Sequence, residues 1–296
     1  MIYRIRHLTE YQYQHPVSLC YNLAHLQPRN TSYQSCLSSK LHISPMPSYS
    51  RKRKDYFGNQ VLHFSIEVPH RLLSVEITSD IRIDEGRASP ELNLDLGSTC
   101  AQALEALSNN HTKAILSARE FVLDSPMVKV MDALRDYAAP SFSADRPLLS
   151  AARDLTHRIF TDFTYDPAST TVATPLSDVL EHRRGVCQDF AHLAIGCMRA
   201  LGFPARYVSG YLETLPPPGQ EKMVGSDASH AWFSIYSPDE GWFEFDPTNN
   251  NMPAEQHITT AWGRDYSDVA PLRGVLFDGG KPQAPRVAVD VQRIEN

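Results

Sequence analysis

The chain has 296 residues, 42% of them apolar and 21% charged, which fits one or two domains with an ample core and lies outside the disordered range. A net charge of −6 gives no global electrostatic case for binding nucleic acid. No stretch reaches the length of a membrane span, and "MIYRIRHLTEYQYQ" lacks the charged-then-apolar order of a signal peptide. A cytoplasmic protein without a membrane partner is therefore expected. The five cysteines, Cys20, Cys36, Cys100, Cys187 and Cys197, are odd in number and irregularly spaced, with no CxxC. That pattern argues against a disulfide framework or a zinc ribbon.

Residues 1 to about 83 alternate and turn often. "IYRIRHLTEYQY" puts Ile2, Arg4 and Arg6 on one face of a strand and Tyr3, Ile5 and His7 on the other. "KLHIS", "QVLHFSIEV" and "LLSVEITSDIRI" are further strand-like runs, so residues 1–90 are read as an antiparallel, sandwich-like β domain. The basic run Arg51-Lys52-Arg53-Lys54 lies between turn-like segments and reads as a solvated loop. "DEGRASPEL", Asp84 to Leu92, reads as a linker.

The pattern then changes to helical. "SPMVKVMDALRDYAA" has helical periodicity, and "HTKAILSAREFVL" is apolar without a clear period; residues 91–150 read as a helical connection. In "RPLLSAARDLTHRIFTDFTY", Leu148, Ala152, Leu155, Ile159 and Phe163 fall near one stripe. Strands followed by helices and then strands again describe an α+β fold, with residues 151–296 as a second domain.

The most informative stretch is "HRRGVCQDFAHLAIGCMRALGFPARYVSGY", His182 to Tyr211. Phe190, Leu193, Ala194, Cys197, Met198 and Leu201 form one side of a helix, which Gly202 and Pro204 stop. Cys187 sits in or just before the first turn. There, free N–H groups and the helix dipole favour a thiolate and would receive an oxyanion. The plain alternative is a cysteine that packs where loop meets helix. Asp189 is placed to cap the same helix end.

A thiol nucleophile needs a base and an orienter for the base. His192 lies about 140° round the helix from Cys187 and faces away. His182, in the charged loop, has nothing to position it. His230 begins the alternating strand "HAWFSIYS", and "WFEFDPT" returns after the turn "PDEG". A hairpin centred on Pro238 would set His230 directly opposite Asp246, close enough for a carboxylate to hold an imidazole N–H. A His–Asp pair on a solvated hairpin face is the alternative. A metal site at Cys187, His182 and His230 lacks any ligand-spacing motif.

At these residues the sequence resembles the transglutaminase-like superfamily, in its bacterial branch often labelled cysteine proteases. "GVCQDFAHLAIGCMRALGFPARYVSGYL", "DASHAWFSIYSPDEGWFEFDPTNN" and "GRDYSDVAPLRGV" carry the resemblance, with the family's Cys, His and Asp landing on Cys187, His230 and Asp246. "YRIRHLTEYQYQHPVSLCYNLAHLQPR" and "DYFGNQVLHFSI" look like the β domain that precedes this core in that branch. The resemblance implies a papain-like core, with a Cys-bearing helix on an antiparallel sheet, and acyl transfer from an amide of a protein or peptide substrate. It implies no cofactor. Water as acceptor makes a hydrolase, the leading expectation; an amine makes a transglutaminase; a non-catalytic binding module is the third reading. Tyr165 in "FTYDP" is the candidate second oxyanion donor, and Trp232 either walls the site or belongs to the core. The Pro/Gly-rich stretch from Glu213 to Ser229 is expected to border the cleft and select substrates.

Overall fold

A computed structural model describes residues 1–84, 93–214, 228–280 and 284–295. The chain opens with strands β1 (Ile2–Ala24), β2 (Gln34–Ser44), β3 (Tyr49–Lys54), β4 (Gln60–Ile66) and β5 (His70–Ile83). Period-2 patterning makes β1: Tyr3, Ile5, His7 and Thr9 are buried, while Arg4 and Arg6 face solvent. Those arginines pair with Asp80 and Glu76 of β5, each at 2.8 Å, and mark the outer face.

The helical region and its sheet follow in the order α1 (Cys100–Asn109), α2 (Lys113–Arg119), α3 (Asp132–Ala138), α4 (Leu148–Asp162), β6 (Thr164–Tyr165), α5 (Leu176–His182), β7 (Arg184–Gly185), α6 (Cys187–Ala200), β8 (Ala205–Leu212), β9 (Ala228–Ser237), β10 (Gly241–Phe245), β11 (His257–Gly263) and α7 (Tyr266–Val269). Two strands close the chain, β12 (Leu272–Asp278) and β13 (Arg286–Glu295).

Both closing strands return to β1. The first half of β1 lies between β5 and β13, and the second half between β4 and β12, with the register breaking between Gln12 and Val17. The N-terminal unit is thus two antiparallel leaves sharing one long strand. Val17, Cys20, Phe64, Ile66, Val75 and Ile77 pack between them. This corrects the expectation that the second domain runs to residue 296: β12 and β13 belong to the first sheet, because their alternating side chains complete its faces. The basic run is also corrected. Arg51 to Lys54 lie in β3, an edge strand with every residue exposed, where charge opposes pairing with other chains.

The second unit has one core. Leu94, Ala103, Leu134, Leu155 and Ile159 share it with Phe190, Leu193, Phe233 and Phe245, so residues 93–150 are part of that core and not a separate connection. Within "SPMVKVMDALRDYAA" only α3 is helical; Ser125 and Val128 close a turn on each other before it. Helix α6 is buried from Asp189 to Ala200 and ends at Gly202, whose φ of +89° is the left-handed value glycine supplies. It packs on the sheet β10-β9-β8-β11, with Ala231, Phe233 and Ile235 in the shared core.

The two units join along β11, an edge strand. The Gln34 side-chain amide donates to the Thr259 carbonyl at 2.7 Å and accepts from its N–H at 2.8 Å. Asn59 does the same to Trp262, at 2.8 and 3.0 Å. Two amide side chains thus occupy backbone positions that another strand would otherwise seek. Among the described residues no helix is long and apolar enough to cross a membrane.

Candidate active site

Cys187 is the first residue of α6 and is partly exposed. The approach to it is built tightly. β6 and β7 pair in parallel, with Tyr165 opposite Gly185, and Asp166 N–H donates to the Gly185 carbonyl at 2.9 Å. Asp189 folds back over the helix start and accepts from the Val186 N–H at 2.8 Å and the Thr170 hydroxyl at 2.6 Å. It therefore caps the helix, as its position suggested. A Cβ on Gly185 would lie 2.8 Å from the Asp189 side chain, so only glycine leaves room for this cap. Burial raises the Asp189 pKa, against the opposing pull of those two hydrogen bonds.

His230 lies on β9, and the hairpin brings it to Asp246 by a register different from that expected. Trp242 pairs with Tyr236 and Phe245 with Phe233, so the turn is centred one residue later, closed by Gly241 at φ +95°. The shift of two residues across the ladder keeps every side chain on its face. His230 and Asp246 therefore become diagonal neighbours instead of direct ones, within reach for long side chains. His230 Nε2 and Asp246 Oδ2 are 2.7 Å apart.

Asp246 lies just beyond β10, fully buried, its backbone bridged to Asn251. Oδ1 accepts from the N–H groups of Thr248, at 2.9 Å, and Asn249, at 3.3 Å. Oδ2 accepts from His230, from Asn249 Nδ2 at 2.7 Å and from His257 Nε2 at 3.0 Å. Burial pushes this carboxyl toward its neutral form. The hydrogen bonds from the two histidines, His230 first, override burial and hold it well below the usual carboxylate range.

His230 is hydrogen-bonded to Asp246 and lies close enough to Cys187 for both to act on its charge. Burial would lower its pKa, but these two partners prevail and raise it to about 10. Since Nε2 is taken by Asp246, Nδ1 is the nitrogen left for the thiol. The geometry can therefore hold a charged imidazole beside a thiol at the start of a helix.

The remaining candidates fall in different places. Tyr165 is half-exposed, its ring 6.4 Å from Phe190, and it is close enough to Cys187 that the sulfur's charge raises its pKa, after burial. Trp232 is fully buried and packs on the rings of His230 at 6.0 Å and His257 at 5.3 Å, so it backs the imidazoles from the core. His182 is exposed at the end of α5, its Nδ1 2.8 Å from the Asp178 carbonyl oxygen, and takes no part. His192 faces away and accepts from the Tyr266 N–H at 3.1 Å. Residues 85–92 of the linker and 215–227 of the expected substrate loop lie outside the described residues.

Among the described residues, the side chains that converge as metal ligands would are His230, Asp246 and His257, with ligand atoms within 4.8 Å of one another. Two of those separations are hydrogen-bond distances, 2.7 and 3.0 Å. A tetrahedral ion with bonds of about 2.0–2.1 Å would spread its ligands to about 3.3 Å. The arrangement fits mutual hydrogen bonding better than a metal.

Comparison with known proteins matches residues 3–82 to the bacterial transglutaminase-like N-terminal region and residues 135–247 to the transglutaminase-like superfamily. An uncharacterized protein of Mycobacterium tuberculosis is 43% identical over 99% of this chain and 93% of its own length. A protein-glutamine gamma-glutamyltransferase of Pseudomonas aeruginosa is 31% identical over 40% of this chain and 19% of its own. The crystal structure of a candidate cysteine protease from Cytophaga hutchinsonii superposes over 100% of this chain and 91% of its own, with a TM-score of 0.76 at 22% identity.

Proposed function

This chain belongs to the transglutaminase-like superfamily, and on that premise we propose that it is a thiol-dependent enzyme taking acyl groups from amides of protein or peptide substrates. The observation that carries the reading is one imidazole bridging a helix-start thiol and a buried carboxylate: His230 between Cys187 and Asp246. In the reaction, Cys187 Sγ attacks the amide carbonyl carbon as a thiolate, with the proton on His230. The oxyanion forms at the α6 N-terminus, where backbone N–H groups lack helical partners. Tyr165, beside the sulfur, is the second donor. The tetrahedral adduct collapses as the C–N bond breaks and His230 gives its proton to the departing amine, leaving a thioester on Cys187. Water then loses a proton to His230 and attacks the thioester; the C–S bond breaks, and acid and thiolate are released. Asp246 holds the ring and offsets its charge throughout.

Water is the acceptor in this reading because it needs no second binding site. The likeness to the Pseudomonas aeruginosa gamma-glutamyltransferase favours a second reading in which an amine replaces water at the same step. Iodoacetamide alkylation of each cysteine against pH, read by peptide mass spectrometry beside His230→Ala, tests the shared part. Cys187 is expected to react well below the pH of an ordinary thiol near 8.5, and the variant to lose this. Ordinary behaviour in both proteins would leave a binding module as the better reading. A labelled amine offered with a glutamine peptide separates the acceptors, by incorporation or by plain acid product.

A further inference from the structure

We propose that His257 is a positioning residue of this site, acting through Asp246 to fix the carboxylate that orients His230; the inference rests on the functional reading above. His257 opens β11, 11 residues after Asp246, and no motif reading singled it out. Its ring is held on several sides. Nε2 lies 3.0 Å from Asp246 Oδ2, Nδ1 faces the Ala254 N–H at 3.4 Å, and the Trp232 ring meets it edge-on at 5.3 Å. Its own backbone N–H donates to the Ala254 carbonyl at 3.0 Å.

These contacts determine the proton. The Ala254 N–H can only donate, so Nδ1 accepts and the ring hydrogen sits on Nε2, aimed at Asp246. His257 is thus a neutral donor to the same oxygen that His230 uses. That has a consequence for the cycle. His230 alternates between imidazolium and imidazole, so the charge holding Asp246 appears and disappears. His257 does not change, and it keeps Oδ2 in place through both halves. The other groups facing the carboxylate are His230 from β9, with Cys187 beyond it on α6, and the Thr248 and Asn249 donors.

A role limited to competition predicts the opposite result from a positioning role. If His257 merely drew charge from Asp246, its removal would strengthen the Asp246–His230 bond, and Cys187 would react as fast or faster. Positioning predicts slower reaction. The experiment measures Cys187 alkylation against pH in the wild type, His257→Phe, His257→Gln and His230→Ala, with thermal melts as a check on folding. His257→Phe keeps the ring volume without the donor. It is expected to lower the neutral-pH rate about tenfold, the effect of losing one hydrogen bond to a charged group, and to move the profile up by about one pH unit. His257→Gln keeps an N–H at the same reach and should recover most of the rate. Equal or faster alkylation in His257→Phe, or no recovery in His257→Gln, overturns the proposal. If wild type and His230→Ala do not differ, the functional reading itself fails, a distinct outcome. A second measurement needs no variant: nitrogen-15 NMR of labelled histidines at neutral pH should find the His257 ring proton on Nε2. A proton on Nδ1 also overturns it.

Discussion

Two buried histidines of this molecule experience opposite fates. His192, inside α6, is lowered to about 4 because burial disfavours its charge, with Arg199 adding to the effect and Asp265 resisting it. His230 is almost equally buried, yet is raised to about 10. The difference lies in the partners. His192 Nε2 meets a backbone N–H, which requires a bare lone pair and so a neutral ring. His230 Nε2 meets a carboxylate that is itself held ionised by further donors. Burial supplies the same penalty to both; what the ring faces decides the sign.

The sharpest way to break this contrast is to make His230 resemble His192. Asp246→Asn should do so, lowering turnover or thiol reactivity on the order of 10³–10⁴-fold, the scale seen when a triad carboxylate becomes an amide. It should also cost about 3–5 kcal/mol, as when one partner of a buried pair is removed. The pH dependence of that cost has a fixed sign. His230 has a folded pKa of about 10 against an ordinary 6.5, so its contribution is full below pH 6.5 and lost as pH rises through 10. Asp246 is held below its ordinary 3.8, so its contribution is full above that pH and lost on acidification. The melting-temperature gap between wild type and Asp246→Asn should therefore be widest from about pH 4 to 6.5 and close toward pH 10. A gap that widened above pH 7 would reverse the assignment.

Next in size, Tyr165→Phe removes the donor proposed for the developing oxyanion and should lower kcat about 100-fold with little change in KM. A KM effect alone would make Tyr165 a wall of the site. Gly185→Ala must displace Asp189 from the helix cap; a loss of about 1 kcal/mol and a severalfold slower alkylation of Cys187 are expected. The smallest functional effect belongs to the other histidine. His192→Gln should leave the alkylation profile of Cys187 within twofold while costing about 1–3 kcal/mol in a denaturant melt, the penalty for disturbing a buried acceptor.

Much of this was legible in the residues. The apolar stripe of α6, its glycine stop and the alternation in "HAWFSIYS" and "WFEFDP" place a thiol, an imidazole and a carboxylate on adjoining elements. The hairpin register was not, because the turn could close one residue later on Gly241, and parity hides such a shift. His257 had a faint signal. "HITTAW" begins a strand with histidine, as "HAWFSI" does, but nothing local shows that the two strands end at one carboxylate. The assignment of β12 and β13 to the first sheet is equally non-local, since "LRGVLFD" and "RVAVDVQRIE" are ordinary alternating runs that would suit any sheet with a free edge.

The pairing of β1 with β13 also sets a timetable for biosynthesis. Thr9 pairs with Val287 in one ladder, so β1 waits for a strand made much later. At about 5–20 residues per second, β1 leaves the ribosome tens of seconds before that partner exists. During that interval the residues of the second unit can already collapse around α6, before the closing strands complete the first sheet. The nascent β1 meanwhile presents an open ladder of backbone groups to the cell. A message broken before β13 would release a chain with a formed thiol site and a permanently unfilled strand position, a product suited to capture by chaperones or to pairing with its own kind.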